Sequence, residues 1–412
     1  MRINISNKTT SLIAVVILIV TCLSFPMAKS IPILNRRWLF QFIGWGLPVI
    51  VCSKVFVEKR CLYLLLYFLC VGINFLVGDS YFKSVQIIIE EISCLFIPMV
   101  LAYIIFRYNN ELLLRWLLIC CALLFVYITA ATFAIDMLTP GIVRIATSMQ
   151  FGGDDTLIRM LERIGASNYY LPHALPVLAP ALIAGIRTKQ FSLSKRLIFG
   201  VLYVLTLVLT YLGRGATAIL LIVGISIISF LLSGKTLNND ILKIGLLFLL
   251  ISPLINTDFE LKVLDMLANS MDSENALQSK IRDTRNTIIY GEASGDIEER
   301  TDLYKQSSFL GINNIIFGSN DNTGGHSGIL DRFATLGIVG FIPYMLFLVG
   351  QLKFPVRYLS RRLRSFYLCG VIAAIAMLFL KSMSNWEMWF ILLCILPCTL
   401  RYIDVSSQTT EV

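Results

Sequence analysis

The sequence predicts an all-α, polytopic integral membrane protein, and three observations carry that prediction. Of 412 residues, 57% are hydrophobic and only 15% are charged, against roughly a quarter charged in an ordinary soluble domain. Mean hydropathy is +0.76, and the apolar residues run from Leu12 to Leu400 instead of collecting in one anchor. At about 20 residues per spanning helix, about ten to twelve spans use roughly half the chain and leave loops large enough to hold chemistry. A soluble enzyme is excluded.

Apolar runs bounded by charge or turn residues predict spans at 10–27, 38–53, 61–77, 84–106, 112–136 and 169–186. The second half adds 197–213, 216–233, 241–255, 333–350, 366–382 and 386–400, about twelve transmembrane helices in all. The first run has the layout of a cleavable signal peptide: Arg2 and Lys8, an apolar core from Leu12 to Val20, then Ala28-Lys29-Ser30. A second apolar segment follows at once, which makes an uncleaved first helix the simpler reading. Residues 1–255 then hold nine spans with a medium exported loop at 137–168. Residues 256–332 form a large exported loop, 333–400 the last three spans, and 401–412 a cytoplasmic tail whose Ser/Thr-rich end after Asp404 is expected to be disordered.

The formal net charge of +9 reports orientation before it reports any nucleic-acid partner. With the N-terminus in the cytoplasm, alternate loops carry Lys54, Lys59 and Arg60; Arg107; Arg187, Lys189, Lys195 and Arg196; and Lys353, Arg357, Arg361, Arg362 and Arg364, as the positive-inside rule requires. Lys29, Arg36 and Arg37 fall on the other side. This orientation exports the 137–168 and 256–332 loops. From Asn256 to His326 there are twelve Asp and Glu against six Lys and Arg, with short amphipathic helices expected at 259–268 and 301–310 and Gly311 as the second helix's stop. None of the ten cysteines falls between Ala122 and Cys369, so those loops carry no disulfide framework or thiolate metal cage.

Few residues can carry chemistry. One of the two histidines, His326, lies in Gly324-Gly325-His326-Ser327-Gly328, where the large loop returns to the membrane. An imidazole with a reference pKa of about 6.5 can take a proton from a hydroxyl at neutral pH, and flanking glycines admit a substrate; the bland alternative is a turn that caps the next helix. Arg214, in Gly213-Arg214-Gly215-Ala216, sits in a tight exported turn where a lipid phosphate would lie, or it simply snorkels to the interface. Arg300, after Glu298-Glu299, stands at the expected start of an amphipathic helix and reads either as an anion site or as part of a surface ion-pair cluster; Arg282 and Arg285 are weaker versions of it. Asp154-Asp155 could bind a cation or a sugar but read more simply as solvated loop carboxylates, while Glu90-Glu91 inside an apolar span and His173 read either as functional or as structural. No Walker loop, dinucleotide fingerprint or His-Glu-x-x-His occurs, so bound ATP, nicotinamide chemistry and zinc proteolysis lack support.

Together these residues resemble the O-antigen polymerases and O-antigen ligases, bacterial inner-membrane proteins that join lipid-pyrophosphate-linked glycans in the periplasm. The resemblance rests on Gly213-Arg214-Gly215-Ala216 opening a helix and on Arg300-Thr301-Asp302-Leu303-Tyr304 in the largest loop, with Gly311 completing an Arg-x10-Gly spacing. It rests further on His326-Ser327 followed by Leu330-Asp331, Gly337 and Gly340. Ser327, where ligases often carry Asn, leans toward polymerase.

The resemblance implies a GT-C-like, metal-independent glycosyltransferase with no cofactor, facing the periplasm of the inner membrane. Its substrates would be an undecaprenyl-pyrophosphate-linked glycan donor and acceptor, and a chain-length regulator would be its protein partner. Arg214 and Arg300 would stabilise the leaving pyrophosphate, and His326 would orient or deprotonate the acceptor hydroxyl or donate to the pyrophosphate. Arg282, Arg285, Ser327 and Asp331 would bind substrate. A ligase differs only in its acceptor, lipid A core. A polysaccharide flippase would also have about twelve helices, but the long acidic loop and the scarcity of charge inside the spans speak against it.

Overall fold

The computed structural model describes residues 7–24, 37–77, 85–151, 154–232, 239–240, 265, 269, 278, 282, 286, 296–319, 321, 323–382 and 385–408. Among these residues the fold is all helical. Seven helices are long and apolar enough to cross a membrane: α3 (Lys59–Val77), α4 (Val85–Arg107), α5 (Glu111–Leu138), α10 (Leu193–Leu212), α13 (Gly328–Val356), α14 (Arg361–Leu380) and α15 (Trp386–Gln408). Three shorter apolar helices accompany them: α1 (Asn7–Ser24), α2 (Arg37–Val51) and α11 (Ala216–Leu231). The chain is a multi-pass membrane protein. Large side chains such as Leu123, Leu197, Ile198 and Leu220 point outward, as a surface solvated by acyl chains allows and one solvated by water does not.

The run expected to span at 169–186 is not one helix. Pro172, Pro176 and Pro180 recur every four residues and each removes a main-chain donor, so the segment divides into α8 (Tyr170–Ala174), a 3-10 turn at Leu175–Val177 and α9 (Ala179–Ile186). Residues 172 to 177 and all of 179–185 are buried, which is where irregular backbone is tolerated at membrane depth. In α15 a π turn at Ile391–Ile395 precedes Pro397, whose ring nitrogen has no hydrogen for the carbonyl of Leu393. The expected ninth span, 241–255, and all of the expected helix at 259–268 except Asp265 lie outside the described residues.

Several boundaries differ from expectation. The last helix continues to Gln408, so the tail expected from residue 401 is helical over its first part. The 137–168 loop contains α6 (Ile142–Phe151) and α7 (Thr156–Ile164). The helix expected at 301–310 is α12 (Asp296–Asn313), and Gly311 does not stop it. A Cβ at Gly311 would come within 2.6 Å of the Phe333 ring, so this glycine serves the close approach of α12 to α13.

The bundle has two chemically distinct ends. At one, Arg401 donates to Asn109 Oδ1 and Tyr358 O, Arg362 to Arg187 O, and Ser360 N to Asp404 Oδ2, so the basic loops at 108–110, 187–192 and 357–360 are tied together. Asp240, beyond α11, accepts from Ser365 near the start of α14 at this same end. Since α11 packs on α14, the start of α11 and the end of α14 share the opposite end, where the candidate site lies.

Candidate functional site

Two clusters of polar residues occupy that opposite end. The first is the Gly324-Gly325-His326-Ser327 turn at the start of α13. Ser327 N-caps α13, its Oγ accepting from Leu330 N at 3.3 Å. Asp331, in the first turn, is buried; its Oδ1 accepts from Ser307 Oγ at 2.7 Å and Gly325 N at 3.2 Å, and its Oδ2 accepts from Ser327 N at 3.2 Å. Ser307 Oγ in turn accepts from Gly324 N at 2.9 Å. One carboxylate therefore ties α12, the turn and α13 together, with His326 half-buried at the turn's apex. Gly325 has φ +69°, and a Cβ at Gly324 would collide with the carbonyl of Leu303, so both positions require glycine.

The Arg300 helix is thereby held against the His326 turn. Leu303 touches Gly324, Ser307 reaches Asp331, Tyr304 Oη donates to Leu380 O at 3.0 Å, and Gly311 meets Phe333. Positions 304, 307 and 311 fall on the stripe of α12 that packs on the turn, and position 300 lies one helical turn ahead of Tyr304 in the same helix.

Beneath the turn lies a buried ion pair that sequence reading did not assemble. Arg332 Nη2 donates to Glu91 Oε1 at 2.6 Å, Tyr67 Oη donates to the same oxygen at 2.7 Å, and Arg332 Nε donates to Tyr67 Oη at 3.2 Å. Arg332 Nη1 also caps Gly328 O at 3.1 Å, and its guanidinium lies over the Tyr344 ring. A charge at this depth is tolerable only when paired and hydrogen-bonded. Glu91 was visible as a carboxylate inside an apolar run. Arg332 was not visible as its partner because the span was expected to start one residue later.

The second cluster surrounds Arg214. This arginine has φ +47° and is exposed; its main-chain N donates to Tyr211 O at 2.9 Å, while its side chain makes no ion pair or hydrogen bond among the described residues. Its guanidinium lies on Gly141, where a Cβ would stand 3.0 Å from Cζ and Nη1; Gly141 N donates to Asp136 Oδ1 at 2.7 Å. Gly213 packs on Pro172 and Gly215 on the His173 ring, leaving no room for a Cβ at either. His173 is fully buried, with Nδ1 2.8 Å from Tyr169 O and the Tyr169 ring centroid 4.1 Å away. The 137–168 loop and the proline-broken segment thus aim one cation outward.

The two clusters are linked through the end of α14: Lys381 O accepts from Gly328 N, and Glu387, in the first turn of α15, accepts from Asn168 Nδ2 beside α8. The structure therefore gathers His326, Ser327, Asp331 and the Arg300 helix in one cluster and sets Arg214 in the other at the same end. Arg282 is exposed, and Arg285 lies outside the described residues. Ser327 and Asp331, expected as substrate ligands, spend their side chains on the helix cap and the turn. Asp154 and Asp155 sit at the surface before α7, Asp155 3.5 Å from Arg159. No protein-family model and no curated protein matches the chain.

Proposed function

We propose that the protein is a membrane glycosyltransferase that polymerises lipid-pyrophosphate-linked oligosaccharides outside the cytoplasm, in the manner of an O-antigen polymerase. In this reaction an acceptor hydroxyl attacks the anomeric carbon of the donor glycan. The bond from that carbon to the pyrophosphate oxygen breaks, undecaprenyl pyrophosphate leaves, and the hydroxyl proton passes to His326 and on to water. Pyrophosphate leaves without an acid, so the protein's task is to stabilise growing negative charge; Arg214 is exposed, braced and without a carboxylate partner among the described residues, and Arg300 supplies a second guanidinium.

The observation that carries this reading is the rigid turn holding His326 beside the Arg300 helix, at the same end of the bundle as Arg214. A nucleophile-activating group and two anion-stabilising groups need fixed relative positions, and the Asp331 and Ser307 bonds supply that fixity on the His326 side. Donor and acceptor are both lipid-linked, which fits a site at the membrane surface. Phe309, Ile312, Ile316 and Phe317 on and after α12 are more than half exposed and extend the outward apolar face of α13 at Ile338, Val339 and Ile342.

The deciding experiment is a lipopolysaccharide gel from a deletion strain complemented with wild type or with His326→Ala at matched membrane levels. A polymerase deletion leaves core bearing a single repeat, wild type restores the ladder and His326→Ala does not. Bare core with accumulated lipid-linked polymer would make the protein a ligase. A ladder restored by His326→Ala would remove the catalytic assignment and favour transport.

A further inference from the structure

On the flank between α5, α9, α10 and α15 runs an apolar furrow that the glycan chemistry does not use. Its lower part has a volume of about 300 Å³ and its upper part about 100 Å³. Cys121, Phe125, Leu178 and Ile395 line both, so the two parts are continuous. The rims at Ile119 and Ile198 are 48% and 59% exposed on the outward face, so the furrow opens sideways, toward lipid.

The mouth at the basic end is of a different character. Arg115 and Lys195 both line it. Arg115 Nη2 lies 3.6 Å from Glu111, whereas the Lys195 ammonium stands 5.3 Å from the Phe191 ring centroid and has no acidic partner among the described residues. The mouth thus carries two cations against one carboxylate. Helices α5 and α10 both begin at this end, so their dipoles add positive potential where the two side chains stand. Most of the wall is apolar, with Thr399 and Tyr402 in the lower part and Ser24, Asn168 and Glu387 in the upper part among its polar members, so a hydrocarbon chain fills the crevice with little loss.

We infer that the furrow is a binding site for an anionic phospholipid, with one acyl chain in the crevice and the phosphate between Arg115 and Lys195. Basic pockets between spanning helices are suited to anionic headgroups, whose phosphate two nearby cations hold at the membrane surface. A zwitterionic lipid can fill the crevice equally well but brings its own cation to a mouth that is already positive. This inference does not depend on the reaction proposed above.

The test uses the full-length protein purified in detergent, titrated with phosphatidylglycerol or with phosphatidylcholine of the same acyl chains, and read by native mass spectrometry and thermal unfolding. Wild type is expected to retain phosphatidylglycerol on the order of tenfold more tightly than phosphatidylcholine. The double variant Arg115→Gln/Lys195→Gln should lose that preference while still taking up either lipid weakly. Leu202→Trp, which fills the crevice and leaves the cations in place, should displace both lipids. Equal retention of the two lipids by wild type overturns the inference, as does undiminished preference in the double variant. Should the double variant fail to fold, unaltered phosphatidylglycerol retention by Leu202→Trp overturns it instead.

Discussion

Asp331 has no chemistry in the proposed reaction, yet it is the residue on which the His326 turn depends. Its carboxylate is buried and accepts from two main-chain N–H groups and one hydroxyl, each bond drawing strength from the full charge. Asp331→Ala leaves those donors in a dry site without an acceptor, so a loss of about 2–4 kcal/mol is expected, with Ser307→Ala costing about 1 kcal/mol. Thermal unfolding in detergent measures both; an unchanged melting temperature for Asp331→Ala would mean that other contacts hold the turn. Arg214 makes the complementary case, a side chain left open by its surroundings. Its positive φ and the three glycines around it aim a planar guanidinium that one ammonium cannot replace. Arg214→Lys should therefore abolish the lipopolysaccharide ladder at normal membrane levels, and a full ladder from that variant would refute the clamp role. Arg214 and His326 are legible in the sequence because each is a polar residue set between glycines. The role of Asp331 is not, since a carboxylate in a helix's first turn reads alike whether it meets a ligand or main-chain donors.

Element boundaries in this protein are decided by long-range contacts, and α13 shows how. The sequence reading placed a span at 333–350, with Gly337 and Gly340 as packing glycines. The helix begins at Gly328 because Ser327, Asp331 and Arg332 cap and pair its first turn, contacts made with residues as distant as Glu91. Gly340 does pack closely, a Cβ there standing 3.3 Å from that of Cys70, but Gly337 breaks the helix, with φ +57° and ψ −167°. The main-chain groups released by the break are taken up by the segment after α12. Ile338 N donates to Ile315 O at 2.8 Å, Val339 N to Ile316 O at 3.1 Å, and Ser319 N to Ala334 O at 2.7 Å. That backbone conformation is nearly reserved for glycine, and a Cβ would collide with Ile316 O, so Gly337→Ala should cost at least about 1–3 kcal/mol and release the 314–319 segment. Hydrogen exchange should rise over 314–319 and 338–339 and not across α14; unchanged protection there would contradict this docking. Such pairing is invisible to periodicity, which reads each segment against its own neighbours only.

The whole molecule separates its charge between its ends, and this was the part most legible from sequence. Apart from 169–186, each apolar run with described residues overlaps a described helix, because exclusion of water from the bilayer core forces each crossing into helix. What the runs could not reveal was the proline-divided segment at 170–186, whose irregular backbone is shielded only because other helices surround it. The positive-inside rule assigns the end bearing Lys189 and Arg361 to the cytoplasm and places Arg214 and His326 outside. This assignment decides whether the proposed reaction is possible, since its lipid-linked substrates are used on the outer face. It can be tested with a membrane-impermeant maleimide on intact cells, because the ten native cysteines are free but buried or half-buried and give little background. Asp154→Cys and Asp321→Cys, at the site end, are expected to label in intact cells. Lys189→Cys and Arg361→Cys, at the basic end, are expected to label only after the membrane is opened. The reverse pattern would put His326 in the cytoplasm and rule out polymerisation on the outer face, while leaving the phospholipid furrow to be judged by its own titration.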